Sequence, residues 1–322
     1  MTTTSTNTRT DTPTTDIPQT TRAIVTQGRR IRRPFSWGSL VGWICLGVAI
    51  AISILPFYWV LRTSLSMNSG LAANSSSLLP VDFNLGAFAR VFGLQSTEEA
   101  LAQGGSGAEI NFWQYLINSV IFATLTTAGA VFFSSMAAYA FARLRWKHRD
   151  LVFGLFLATV LVPPIFTALP NFLLVKNLGL LGTMFGLILP YVFMTPFAIF
   201  FMRQFFLNMP REVEEAAMID GASQWRIFTQ VVLPNAAAPL ATLALLTFMG
   251  QWNEYFWPLL VADENTRVLT VGLGTFKSQS PQGAPDWSGL MAATLVSAVP
   301  VLILFAMFGK RIVNSIGFTG LK

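Results

Sequence analysis

Charge is what this sequence is short of. Only 11% of its 322 residues are Asp, Glu, Lys or Arg, against about 25% in a soluble domain. Cysteine and histidine occur once each, as Cys45 and His148. One cysteine excludes an intrachain disulfide and a thiolate metal cluster. The lone histidine sits in the basic stretch ARLRWKHRD (142–150), with no Glu, His or Cys at ligand spacing, so it is not read as a metal or catalytic residue. A phosphate loop is missing too: GLGTFKS (272–278) has Phe276 where the glycine before Lys277 belongs. No cluster of acid, base or metal ligands is visible, which argues against a membrane enzyme.

What the chain has instead is apolar surface: 53% hydrophobic residues, including 28 Phe and 9 Trp. Charge-free runs cover 34–61, 110–142, 151–175, 177–202, 227–253 and 287–309. Each exceeds the roughly 20 residues that an α-helix needs to cross the hydrocarbon. A charge at mid-bilayer costs about 2.5–3.5 kcal/mol, so these gaps carry physical weight. The expectation is an all-α integral membrane protein with six transmembrane helices. The first run is too long for a secretory h-region, lacks a small-x-small cleavage site, and reads as an uncleaved span that directs insertion. Pro163 and Pro164 fall inside the third run, where a kinked span lining a cavity and plain packing geometry both account for them.

Basic residues set the orientation. With the N-terminus inside, 16 of the 21 Lys and Arg lie on inner segments. That asymmetry places both termini in the cytoplasm and explains the net charge of +6 without nucleic acid. Residues 1–36, Thr-rich with no apolar period, are expected to be a disordered basic tail, with RRIRR (29–33) anchoring it against anionic lipid. The 62–111 segment is too long for a simple connection, and its acids (Asp82, Glu98, Glu99, Glu109) outnumber its bases.

The polar insert between the fourth and fifth runs is EEAAMIDGASQWRIFTQVVLP (214–234). Pro210 suits a helix start, and Glu212, Glu214 and Glu215 complement the helix dipole in the first turn. Gly221 can end that helix near Ile219 with a positive φ. Ser223 then caps a second helix, Gln224 to Val232, stopped by Pro234, with Trp225, Phe228 and Val232 as an apolar stripe. The result is a cytoplasmic helix–turn–helix over about 208–235. Ala216 and Ala217 keep one side flat enough to dock in a groove on another protein. An interfacial helix lying on lipid is the alternative, and the acidic start argues against it.

The spacing Glu215-Ala216-Ala217, three residues, Gly221, nine residues, Val231-x-Leu233-Pro234 resembles the EAA loop of bacterial ABC importer permeases, with Val231 in place of Ile. LGLLGTMFGLILPY (178–191), QWNEYFWPLLVADENTRVLTVGLGTF (251–276) and the ending GKRIVNSIGFTGLK look like the carbohydrate-uptake, MalG-like members. The resemblance covers about 37–322, one transmembrane domain in the bacterial inner membrane. It implies a sugar importer in which this chain forms half of the pathway. Its partners would be the lipid bilayer, a second homologous (MalF-like) permease, two cytoplasmic ABC ATPases and an extracytoplasmic sugar-binding protein. Glu215, Ala216, Ala217, Gly221, Leu233 and Pro234 would couple to the ATPases. The chain itself would need no cofactor and hydrolyse nothing, with ATP and Mg on the ATPases.

For the pathway, Trp252, Tyr255 and Phe256 are expected on one helical face, beside Asn253 and Glu254, which could hydrogen-bond sugar hydroxyls. An interfacial aromatic belt explains the same residues. Asn118 and Ser119 in the second span are further candidates, and helix–helix hydrogen bonding accounts for them as well. The 263–286 loop is a candidate contact for the binding protein. The rival function is a self-contained secondary transporter or channel; such proteins carry ionisable groups at mid-membrane, and none of the six runs does.

Overall fold

The computed structural model describes residue 2 and residues 37–107, 110–278 and 285–317. The tail expected over 1–36 (residue 2 apart) and part of the 263–286 loop lie outside the described residues. Among the described residues every regular element is helical. The chain divides into two compact units, 1–53 and 54–322. Described in the first are the N-terminal turns of α1 (Trp37–Ser64). Val41, Trp43, Ile44, Leu46 and Val48 are all exposed there, as is Cys45. A helix apolar all round is suited to lipid.

The second unit is built along α2 (Phe112–Arg143), whose 32 residues rise about 48 Å. There follow α3 (Arg149–Ala158), α4 (Pro164–Asn177), α5 (Pro196–Asn208), α6 (Glu212–Ile219), α7 (Gln224–Ile227), α8 (Ala237–Trp252) and α9 (Trp287–Gly317). α2 packs along α5 and α8, and α8 along α9. The Val192 backbone comes close to α2 at Gly129, where a Cβ would stand 2.6 Å from the Val192 carbonyl oxygen. One core joins the end of α2 (Tyr139, Phe141), α5 (Ile199, Met202, Phe206) and the segment after α7 (Phe228, Val232). Another, near the start of α2, gathers Phe112, Tyr115, Trp252, Leu269 and Phe276.

Among the described residues, three helices are long and apolar enough to cross a membrane: Leu40–Ser64, Phe112–Arg143 and Trp287–Met307. Two more candidates are broken pairs, Arg149–Leu161 with Pro164–Asn177 at 100° and Gln224–Asn235 with Ala237–Trp252 at 81°. The 177–202 run is interrupted as well, by a short helix, Met184–Ile188, and a link before α5. Proline accounts for the first and last of these breaks. Pro163 is extended and Pro164 starts α4; Pro196 starts α5 behind Thr195, whose side chain caps it. Freedom from charge measures how much chain lipid can accept, and it is blind to continuity.

Residues 62–107 hold three short helices, Asn68–Leu71, Gly86–Val91 and Thr97–Ala102. Ser96 and Glu99 form a capping box on the third. A buried ion pair keys this segment to α9. Arg90 Nε lies 3.0 Å from Asp286 Oδ2, and its Nη2 donates to Asp286 Oδ1 (3.2 Å) and Ser288 Oγ (2.8 Å). Asp286, fully buried, also accepts from the Ser106 and Gly289 N–H groups. The Gly289 bond makes it the N-cap of α9.

Candidate functional site

The polar insert folds as a helical hairpin. α6 ends in a Schellman turn: the Gly221 N–H donates to the Met218 carbonyl and the Ala222 N–H to the Ala217 carbonyl. Gly221 has φ +78, and a Cβ there would meet nothing within 4 Å. Backbone conformation alone therefore selects glycine. Ser223 Oγ accepts from the Arg226 N–H (3.3 Å), capping α7 as its position predicts.

The second arm departs from the expectation. It does not stop at Pro234. After Ile227 it widens into a π turn, Phe228–Val232, then continues through Leu233–Asn235 and breaks at Ala236. The Leu233 N–H reaches back to Phe228, and Pro234 follows at a first-turn position where its missing N–H costs little. The stripe is divided too. Phe228 and Val232 are buried, while Trp225 is exposed and sets its ring edge-on to Phe132.

The family motif residues point several ways. Glu215 and Ala216 are exposed, Ala217 and Leu233 pack partly against the core, and Pro234 is exposed. Around them Val213, Met218 and Trp225 are exposed, and Ile219 is 87% exposed. Such a knob of uncovered apolar side chains on a rigid turn suits a protein groove.

Sequence reasoning missed what fastens the hairpin to the spans. Glu214, not Glu215, is buried, and its Oε1 lies 2.8 Å from Arg143 Nε at the end of α2. Arg143 also donates to the Met209 carbonyl (2.7 Å), and the Tyr139 hydroxyl pairs with Gln224 Oε1 (3.0 Å). Burial raises the Glu214 carboxyl above its ordinary value, with Arg143 and Arg211 pulling it back. No local pattern announces a partner 71 residues away.

At the other end of α8 the expected aromatic face is not formed. α8 stops at Trp252, and a new helix, Phe256–Val261, starts after a break. A continuous helix would need the Pro258 N–H for the Glu254 carbonyl; the Thr270 hydroxyl occupies that carbonyl instead (2.7 Å). Trp252 is buried and stacked on Phe248, whereas Tyr255 is exposed. The Glu254 carboxylate caps the new helix at the Trp257 N–H (3.1 Å). Asn118 donates to the Asn265 and Arg267 carbonyls (2.8 and 3.0 Å), and Ser119 Oγ accepts from the Leu269 N–H. These two polar groups hold the 263–269 segment onto α2. In that segment Asp263 accepts from Thr266 and Asn265, which holds its carboxyl below the usual range. Trp252 and Asn253 remain together on the wall of a cleft of about 250 Å³.

Comparison with known proteins fits this architecture. Residues 130–316 match the family described as the binding-protein-dependent transport system inner membrane component. The chain is 34% identical over 267 residues to the diacetylchitobiose uptake system permease protein NgcG of Streptomyces coelicolor, covering 82% of this chain and 83% of that one. To the trehalose/maltose transport system permease protein MalG of Thermococcus litoralis it is 32% identical over 285 residues, covering 88% and 95%. In fold it is similar to a chain of a bacterial ABC transporter involved in the import of the acidic polysaccharide alginate, with a TM-score of 0.69 at 23% identity, covering 86% of this chain and 98% of that chain. The chain thus belongs to the family of inner-membrane components of binding-protein-dependent transport systems: it is a multi-pass membrane protein and a permease of an ABC importer.

Proposed function

We propose that this permease forms one half of the pathway of an ATP-driven sugar importer in a bacterial inner membrane. Residues 37–322 make up six spans, with the 1–36 tail and both termini in the cytoplasm. A second, homologous permease completes the pathway, an extracytoplasmic binding protein delivers the sugar, and two cytoplasmic ATPases hold the ATP and Mg. The chain is not itself an enzyme. The transport systems of the two relatives, one for diacetylchitobiose and one for trehalose and maltose, support a sugar as cargo.

The hairpin carries this reading, because it exposes Val213, Met218, Ile219 and Trp225 while being anchored from behind. Glu215, Ala216, Ala217 and Gly221 form the docking arm, and Leu233 and Pro234 lead from it into α8. Closure of the ATPases on ATP moves the arm, and the Arg143–Glu214 and Tyr139–Gln224 links pass that movement to α2. ATP thereby biases a two-state element instead of being consumed here. Gly221→Pro, which forces φ to about −65° where +78° is needed, and Glu215→Lys should each abolish uptake while the chain still inserts. Uptake that survives both changes rules the docking out.

A further inference from the structure

We infer that the cleft at the end of α8 selects neutral, hydroxyl-rich ligands, an uncharged sugar ring, with Thr270, Thr294 and Ser297 as specificity-determining residues. This rests on the importer reading and deepens it. The cleft measures about 250 Å³ and lies between Trp252 and Asn253, the turn of Leu269 to Leu273, and one face of α9 carrying Thr294, Ser297 and Val301. Among the described residues, none of those lining it is charged.

The hydroxyls have already committed their protons. Thr294 donates to the Leu290 carbonyl (2.7 Å), Ser297 to the Ala293 carbonyl, and Thr270 to the Glu254 carbonyl (2.7 Å). Asn253 likewise gives an amide hydrogen to the Met249 carbonyl (2.8 Å). A hydroxyl that donates once keeps two acceptor lone pairs, so what these three can offer a ligand is acceptors. Carboxylate and phosphate oxygens have no hydrogen to give. In this cleft they would meet these lone pairs, the one amide hydrogen Asn253 has left and the apolar walls of Leu269, Leu273 and Val301, with no counter-charge, a costly desolvation. A cation gains no carboxylate from Glu254, which is turned onto the Trp257 N–H. A sugar hydroxyl donates, and the ring's C–H face lies on the leucines. Neutral carbohydrate is the class that satisfies both halves of the lining.

The test is uptake by intact host cells carrying the whole transporter, with radiolabelled maltose, trehalose and N,N′-diacetylchitobiose as neutral probes and a mannuronate dimer as the anionic one. Import of a neutral probe without the mannuronate dimer is expected. Thr294→Val and Ser297→Ala, at unchanged membrane levels of the protein, should each raise the uptake KM for that probe about five- to tenfold, the effect of one lost hydrogen bond. Import of the mannuronate dimer as efficient as that of the neutral sugar overturns the inference. So does a KM that stays within about twofold of the parent in both variants, even though deleting the chain abolishes uptake. Uptake of every probe unchanged by that deletion overturns the importer reading itself.

Discussion

Two residues of the hairpin show how differently single positions are constrained. Gly221 is held by its backbone alone, since φ is +78 and the space around it is open. Gly221→Ala should therefore cost about 1–2 kcal/mol of left-handed strain without a clash, seen as a modest drop in thermal stability in detergent. Glu214 is constrained by its surroundings. Burial lifts its folded pKa above the unfolded value. Its contribution to stability is therefore fully present below the unfolded pKa and is lost as pH rises through the raised folded one. Melting curves taken upward from about pH 4.5 should show this decline, and Glu214→Gln should flatten it. A parent chain whose stability rises over that range would contradict the sign. The sequence suggested Gly221 because a left-handed turn leaves a one-residue mark. It could not single out Glu214, whose burial depends on Arg143 arriving from a distant helix.

At the scale of elements, the lesson is what hydropathy and motif can each supply. The runs that became α1, α2 and α9 were legible because nothing interrupts their helices enough to bend them apart, although Pro56 and Pro300 lie inside two of them. The third and fourth runs were equally free of charge and yet broke, with Pro164 and Pro196 starting new helices. The fifth run broke at Ala236, after the π turn, and beyond its end no helix resumed until Phe256. There Pro258 has no N–H for the Glu254 carbonyl, and the Thr270 hydroxyl that takes up that carbonyl is a tertiary partner with no local sign. The keying of 62–107 onto α9 was invisible for the same reason. Asp286→Ala should leave the Arg90 guanidinium without its counter-ion and loosen that segment. Protease added to the face that bears it should cut between residues 68 and 107 faster than in the parent, with the spans still inserted. Unchanged cleavage would mean that other packing holds the segment.

For the whole molecule, the testable property is sidedness. Cys45 is the sole cysteine, so its replacement by serine gives a blank background for labelling. Ile219→Cys and Leu94→Cys, both at exposed positions, should react with membrane-impermeant maleimide from opposite faces: Leu94→Cys in intact cells, Ile219→Cys only in inverted vesicles. Reaction of both from the same face would dismantle the proposed six-span topology. The Arg90–Asp286 pair also bears on how such a chain is made. Its halves lie 196 residues apart, so the intervening segment and Asp286 must leave the ribosome before the early segment can close over its arginine. A chain cut short ahead of Asp286 would leave that guanidinium the neutral Gln95 and Gln103 amide oxygens and no counter-ion, so the early segment could fold around it without the closure that completes the parent.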